Sequence, residues 1–174
     1  ASTKSNVKEV VDACDIIFVC VPTPMQPGGS CDLSIVESVL DKISESISIG
    51  ERIAVIKSTV VPGSTARWNL KYGASGLRVV FNPEFLVEAS AKEDFLNQTR
   101  IIIGGEPKYT NSVAELYRRA FWCAVVQVDS TTAEFIKYMT NTFLATKVSF
   151  ANEMYQICQN LGISYEIAKD LVCL

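Results

Sequence analysis

The 174-residue sequence contains no histidine. That removes every Ser-His and Cys-His mechanism, so any acid–base chemistry falls to Glu, Asp, Lys, Tyr or Cys. It also lacks a Cys-x-x-Cys pair. The six cysteines, at positions 14, 20, 31, 123, 158 and 173, have no metal-ligand spacing, which argues against a zinc site or a disulfide framework. Cys14, Cys20, Cys158 and Cys173 fall in apolar patterns, where free cysteine acts as a small hydrophobe. Basic clusters are absent and the net charge is −3, so there is no electrostatic footprint for nucleic acid. The apolar stretch Ile16–Val21 is far too short to span a bilayer, and residues 1–10 have no signal-peptide core. The expectation is a soluble, cytosolic protein with no metal. Repeats and low-complexity segments are missing too.

What is present is ordinary globular material, 48% hydrophobic and 20% charged, enough for one domain or a little more. The first part alternates strand and helix signals. Val7–Ala13 reads as the end of a helix and Ile16–Val21 as a strand buried on both faces, as in a parallel sheet. Asp32 is placed to cap a helix whose Leu33, Val36, Val39, Leu40, Ile43 and Ile47 share one face, and Gly50 ends it. Further strands are expected at Arg52–Lys57, Arg78–Phe81, Arg100–Gly105 and Val125–Val128, with a short helix capped by Ser64 and another over Asn111–Ala120. Such alternation implies an α/β layered domain, a parallel sheet covered by helices.

From Thr131 to Leu161 there is neither Pro nor Gly. About 30 helical residues make a rod of roughly 45 Å, with Asp129 or Ser130 as cap. It is apolar nearly all round, as expected of a helix buried between two bodies or in a dimer. Gly162 ends it and Tyr165–Leu171 forms a last helix.

Chemistry-bearing residues gather after the strands, where open parallel sheets bind ligands. Val21, Pro22, Thr23 and Pro24 leave the first strand as a stiff loop. Ser58, Thr59 and Val60 leave the second. Asn82, Pro83, Glu84, Phe85, Leu86, Val87 and Glu88 leave the third, and Glu84 and Glu88 are spaced to share a helical face. On the long helix, Lys137 and Asn141 are one turn apart in apolar surroundings, with Glu134 one turn earlier. An ammonium and an amide so placed can donate to one oxygen and stabilise an alkoxide; the alternative is a Glu134–Lys137 surface ion pair.

The stretches DIIFVCVPTP, CDLSIVESVL, IKSTVVPGST, FNPEFLVEASAKEDF with RIIIGG, and TAEFIKYMTNTFLATKVSFANE resemble, in order, the UDP-glucose/GDP-mannose 6-dehydrogenase family. The likeness runs from Val11 to Gly162. It implies an incomplete Rossmann-like sheet followed by a central helix, with residues 1–128 the later part of the NAD-binding domain and 129–174 the central helix and the start of a helical dimerisation and substrate domain. Those enzymes oxidise the C6 hydroxyl of a sugar nucleotide twice with NAD⁺, through a cysteine-bound thiohemiacetal and thioester. By that resemblance Val21–Pro24 and Ser58–Val60 lie along NAD, with Thr59 also holding a catalytic water. Glu84 assists the acid–base steps, Glu84–Glu88 contact the nucleotide sugar with Glu88 also near the cofactor, and Lys137 and Asn141 hold the C6 oxyanion. UDP-glucose is the expected substrate, and a homodimer through Thr131–Leu161 is expected in the full-length protein.

Two family features are missing. No Gly-x-Gly-x-x-Gly turn for the NAD pyrophosphate is present, and no Gly-Gly-x-Cys-x-Pro-Lys-Asp nucleophile stretch follows the long helix. The Gly28-Gly29-Ser30-Cys31 segment precedes that helix, so Cys31 reads as a loop thiol, and Ala89 stands where glycine is commoner. The expectation is a dehydrogenase fragment, inactive by itself. A β-hydroxyacid-type NAD(P) dehydrogenase and a non-catalytic nucleotide-sugar-binding or dimerisation module are the alternatives.

Overall fold

The computed structural model describes residues 6–86 and 88–172. Helix α1 (Val7–Ala13) opens on Asn6, whose side chain accepts from the Lys8 amide. Strand β1 (Ile16–Val19) follows, then α2 (Ser34–Ser46), β2 (Arg52–Ile56), α3 (Ser64–Tyr72), β3 (Leu77–Phe81), the short α4 (Ala91–Leu96), β4 (Arg100–Gly104), α5 (Pro107–Ala120), β5 (Ala124–Val128), α6 (Ser130–Leu161) and α7 (Tyr165–Val172). The five strands form one sheet in the order β1-β2-β3-β4-β5.

The strands' two-residue period sorts their side chains onto two cores. Val19, Ala54, Ile56, Val79 and Phe81 pack with Val36, Leu40 and Ile43 of α2 and Trp68 of α3. Ile53, Val55, Val80, Ile101 and Ile103 face the other way, onto Tyr109, Val113 and Tyr117 of α5. The result is a sheet with helices on both faces.

Two expectations change here. The sheet is mixed: β1, β2 and β3 are parallel and so are β4 and β5, but β3 meets β4 antiparallel at the single pair Phe81–Gly104. A parallel return needs a crossover helix packed on the sheet, and the six-residue α4 buries none of its side chains. Beside that thin ladder the Asn69 carboxamide accepts from the Val79 amide and donates to the Val79 carbonyl, at 2.9 and 2.8 Å, as a neighbouring strand's peptide would. Nor is β1 buried on both faces. Among the described residues it pairs only with β2 and leaves Phe18 41% exposed.

The chain divides into two compact units, Ala1–Lys137 and Tyr138–Leu174. Within the second, the α6 residues Phe143, Leu144, Val148 and Phe150 are exposed. The burial expected of so apolar a helix is therefore not supplied within that unit. Gly162, at φ 67°, ends α6 in the left-handed region, and the Ile163 amide donates back to the Cys158 carbonyl, a C-terminal turn that glycine permits. Among the described residues no helix is long and apolar enough to cross a membrane.

Candidate active site

Parallel pairing brings the carboxyl ends of β1, β2 and β3 side by side, with Val19 beside Ile56 and Ile56 beside Phe81. Three loops therefore emerge together. Ser58 ties the first two: its hydroxyl accepts from the Val21 amide at 3.0 Å and donates to the Val21 carbonyl at 2.6 Å. Thr23 adds a second tie, its hydroxyl donating to the Thr59 carbonyl at 2.8 Å. Pro22 and Pro24 are exposed, whereas Val60 lies in the core. The Thr59 hydroxyl makes no hydrogen bond to the described residues and is available to a ligand or water.

Cys31 belongs to this loop pair. Met25 and Cys31 form an isolated bridge, and the Cys31 thiol points at the carbonyls of Thr23 and Thr59, 4.0 and 3.8 Å away. It closes the loop as a weak donor, in keeping with a loop thiol.

The third loop carries the charged pair. Lys137, one of the few charged residues that the fold buries, donates to the Glu84 carbonyl at 2.6 Å and lies 3.1 Å from Glu84 Oε1. Lys137 Nζ and the Arg100 guanidinium also stand 5.6 and 5.2 Å from the centre of the Phe85 ring, within cation–π range. One ammonium proton goes to the Glu84 carbonyl, and the Glu84 carboxylate supplies the counter-charge.

Glu134 does not pair with Lys137. It is fully buried, and its two carboxylate oxygens accept from the amides of Gly63 and Thr65 at 2.5 and 2.8 Å. It thereby caps the first turn of α3 in place of the expected Ser64. Burial pushes the Glu134 carboxyl up, and the Thr65 and Gly63 donors pull it back.

A cleft of about 340 Å³ is lined by Cys20, Val21, Lys57, Ser58, Glu84, Leu86 and Phe95. Lys57 is a member that the sequence reading left unassigned. Its ammonium donates to Asn82 Oδ1 at 3.1 Å; Asn82 also accepts from the Tyr117 hydroxyl at 2.5 Å and donates to the Ile102 carbonyl at 2.7 Å. Desolvation lowers Lys57 to about 8, against the opposing pull of Glu84. The lysine immediately before Ser58, at the end of an apolar strand, was the available signal.

The structure thus brings Val21, Ser58, Glu84 and Leu86 together around the cleft, with Lys137 on Glu84 and Thr23 on Thr59. It does not place Glu84 and Glu88 on one helical face: residues 82–86 are irregular and Glu88 begins a 3-10 turn. Pro83 in that stretch holds the preceding Asn82 away from the helical region. Val87 lies outside the described residues. Asn141 is exposed and belongs to the second unit. Cys14 and Cys20 are exposed rather than buried, because both sit just beyond the ends of their elements; Cys158 is buried, and Cys173 lies outside the described residues.

Stapled loops at the carboxyl ends of parallel strands, with an apolar wall of Val21, Leu86 and Phe95, suit a flat ring with an attached amide, and the residues present fit a nicotinamide cofactor at that end. This is the layout of a Rossmann-type dehydrogenase domain. Residues 2–121 match the model described as UDP-glucose/GDP-mannose dehydrogenase family, NAD binding domain, and residues 131–174 match that family's central domain. The chain belongs to the UDP-glucose/GDP-mannose dehydrogenase family, and NAD is the cofactor of its matched domain. It is 42% identical over 151 residues to the UDP-glucose 6-dehydrogenase of Rickettsia conorii, covering 85% of this chain and 35% of that protein. The UDP-glucose dehydrogenase structure from Pyrobaculum islandicum superposes with TM-score 0.89 at 36% identity, over 98% of this chain and 41% of that one. The GDP-mannose dehydrogenase structure from Pseudomonas aeruginosa gives 0.88 at 30% identity, with the same coverage. The chain spans about a third of the length of the curated relatives it matches.

Proposed function

We propose that these residues are part of an NAD-dependent nucleotide-sugar 6-dehydrogenase acting on UDP-glucose, with Lys137, Glu84, Thr59 and Asn141 at the reacting carbon. The observation that carries this reading is the buried Lys137 ammonium, which hydrogen-bonds the Glu84 carbonyl and pairs with the Glu84 carboxylate on the loop after β3. When bound, NAD supplies the hydride acceptor. The chain's own residues do the rest. Lys137 donates to the C6 oxygen and stabilises negative charge there, with Asn141 one turn on as second donor. Glu84 is the carboxylate within reach for proton transfer, and the Thr59 hydroxyl orients a water.

Val21–Pro24 and Ser58–Val60 form the wall for the nicotinamide end, and the Phe85–Glu88 stretch contacts the nucleotide sugar, with Glu88 also near the cofactor. Residues 1–128 are assigned to the NAD-binding domain and 129–174 to the central helix with the start of the substrate domain. The exposed apolar face of the second unit supports pairing of two copies through α6, and the composition supports a cytoplasmic location.

The 174 residues alone are assigned no turnover, because they contain neither the glycine-rich pyrophosphate turn nor the nucleophile stretch. The test is a substrate panel at 340 nm with the product of the whole reading frame around this segment: UDP-glucose, GDP-mannose, UDP-N-acetylmannosamine and a β-hydroxy acid. NADH formation with UDP-glucose ahead of the others is expected, and none from the 174-residue chain. Preference for the β-hydroxy acid, or binding without turnover by the whole product, would overturn the reading.

A further inference from the structure

Three constraints converge on the first two turns of α6. The Asp129 carboxylate accepts from the Thr132 amide and hydroxyl at 2.9 and 2.6 Å, which fixes where the helix starts. Ala133 is fully buried against Gly104, where a Cβ would come within 2.4 Å of the Ala133 Cβ; the helix can approach β4 this closely only because residue 104 has no side chain. Glu134 reaches the other way and binds the amides of Gly63 and Thr65, in the segment that continues from Ser58 and Thr59. One turn later, Lys137 meets the carbonyl and carboxylate of Glu84.

A helix held by one cap and one packing contact keeps freedom to rotate and slide by fractions of an ångström. Two hydrogen bonds to backbone amides on a different element remove that freedom, because those amides are themselves fixed by the start of α3. The i,i+3 spacing of Glu134 and Lys137 transmits the fix directly, since both side chains project from neighbouring turns of one face.

We infer that Glu134 is a positioning residue for Lys137: its clamp on Gly63 and Thr65 sets the height and rotation of α6 at which the Lys137 ammonium lands on Glu84. The inference rests on the role proposed for Lys137. Both oxygens are acceptors here, so a carboxylate is required and an amide is not equivalent. Glu134→Gln keeps the volume but sets an NH2 donor against a backbone N–H, and a buried donor left without an acceptor is unfavourable. Glu134→Asp keeps the charge and loses the reach.

The test uses the 174-residue chain with ¹³C-labelled glutamate and ¹⁵N-labelled amides. In Glu134→Gln the Gly63 and Thr65 amide signals shift upfield. The Glu84 carboxyl signal moves in the direction that Lys137→Ala moves it, by a comparable amount. In the Lys137→Ala background, Glu134→Gln adds no further displacement at Glu84; this non-additivity marks a residue acting through its neighbour. Glu134→Asp provides the same readings if the glutamine variant fails to fold. Movement at Gly63 and Thr65 with Glu84 unchanged would overturn the inference, since Glu134 would then only cap α3. So would equal displacement of Glu84 in both backgrounds, or failure of both variants to fold. Neither substrate nor cofactor enters the experiment, so a different substrate for the enzyme leaves its outcome standing.

Discussion

Replacing Lys137 with methionine should weaken the first unit measurably even where no catalysis is at issue. Lys137 is 6% exposed, and its ammonium hydrogen-bonds the Glu84 carbonyl and pairs with the Glu84 carboxylate. Hydrogen bonds to a charged group contribute about 1.5–3 kcal/mol each, and breaking a buried pair from one side costs about 3–5 kcal/mol. Glu84 is not fully enclosed, its side chain being 30% exposed, so water recovers part of the loss at the carboxylate. Methionine also keeps most of the stem's apolar contact. A net loss of about 2 kcal/mol follows from the low end of those ranges. With an urea slope of about 2 kcal/mol/M, the midpoint falls by about 1 M. The assay is fluorescence, because Trp68 is buried in the first unit's core while Trp122 is fully exposed, so the change on unfolding reports that unit. A midpoint lowered by less than about 0.3 M would refute the reasoning, since it would mean that the pair contributes no more than a surface one.

Other predictions follow from the same geometry. Gly104→Ala puts a Cβ 2.4 Å from the Ala133 Cβ and 3.0 Å from the Ser130 Cα; backbone must move, and a loss of about 1–3 kcal/mol in the same urea assay is expected. Lys57, lowered to about 8 from 10.5, should be among the first lysines trapped by an amine-reactive reagent near that pH, as mass spectrometry of peptides reads directly. Because its folded value is depressed, the unfolded chain binds more protons between those two values, so stability relative to Lys57→Met rises with pH across that window. Glu51 is held down to about 2 by Lys108, Tyr109 and Arg78. Its contribution is present above its ordinary value of 4.5 and lost as pH falls toward 2; the gap in urea midpoint between wild type and Glu51→Gln should close over that interval.

The strands and the main helices were legible because each has a local cause. Val36, Leu40 and Ile43 repeat at helical spacing, and Ile53 to Ile56 is apolar on both faces. The Lys137 site was legible for a similar reason, since a lysine in so apolar a helix must find a partner. That the partner is Glu84, 53 residues earlier, was not written locally. Glu134 was harder still. Its spacing from Lys137 suggests an ion pair on one helix, and only the fold reveals that the start of α3 lies across from it, with two amides lacking acceptors. The antiparallel entry of β4 was missed because α4 is short and exposed and leaves almost no periodic signal. Lys57 was passed over because a strand-end lysine reads as solvated, whereas Asn82 and Tyr117 draw this one inward. Cys14 and Cys20 follow apolar runs in sequence, yet element ends carry them outward.

The role proposed for Lys137, paired with Glu84, is at the C6 oxygen of a nucleotide sugar. The most direct measurement counts NADH formed per UDP-glucose consumed by the product of the whole reading frame, with and without Lys137→Ala. Two NADH per sugar are expected, with a rate reduced by about 10²–10³ in the variant, the loss usual for one oxyanion donor. One NADH per sugar, or a variant that retains most of the rate, would contradict the proposal.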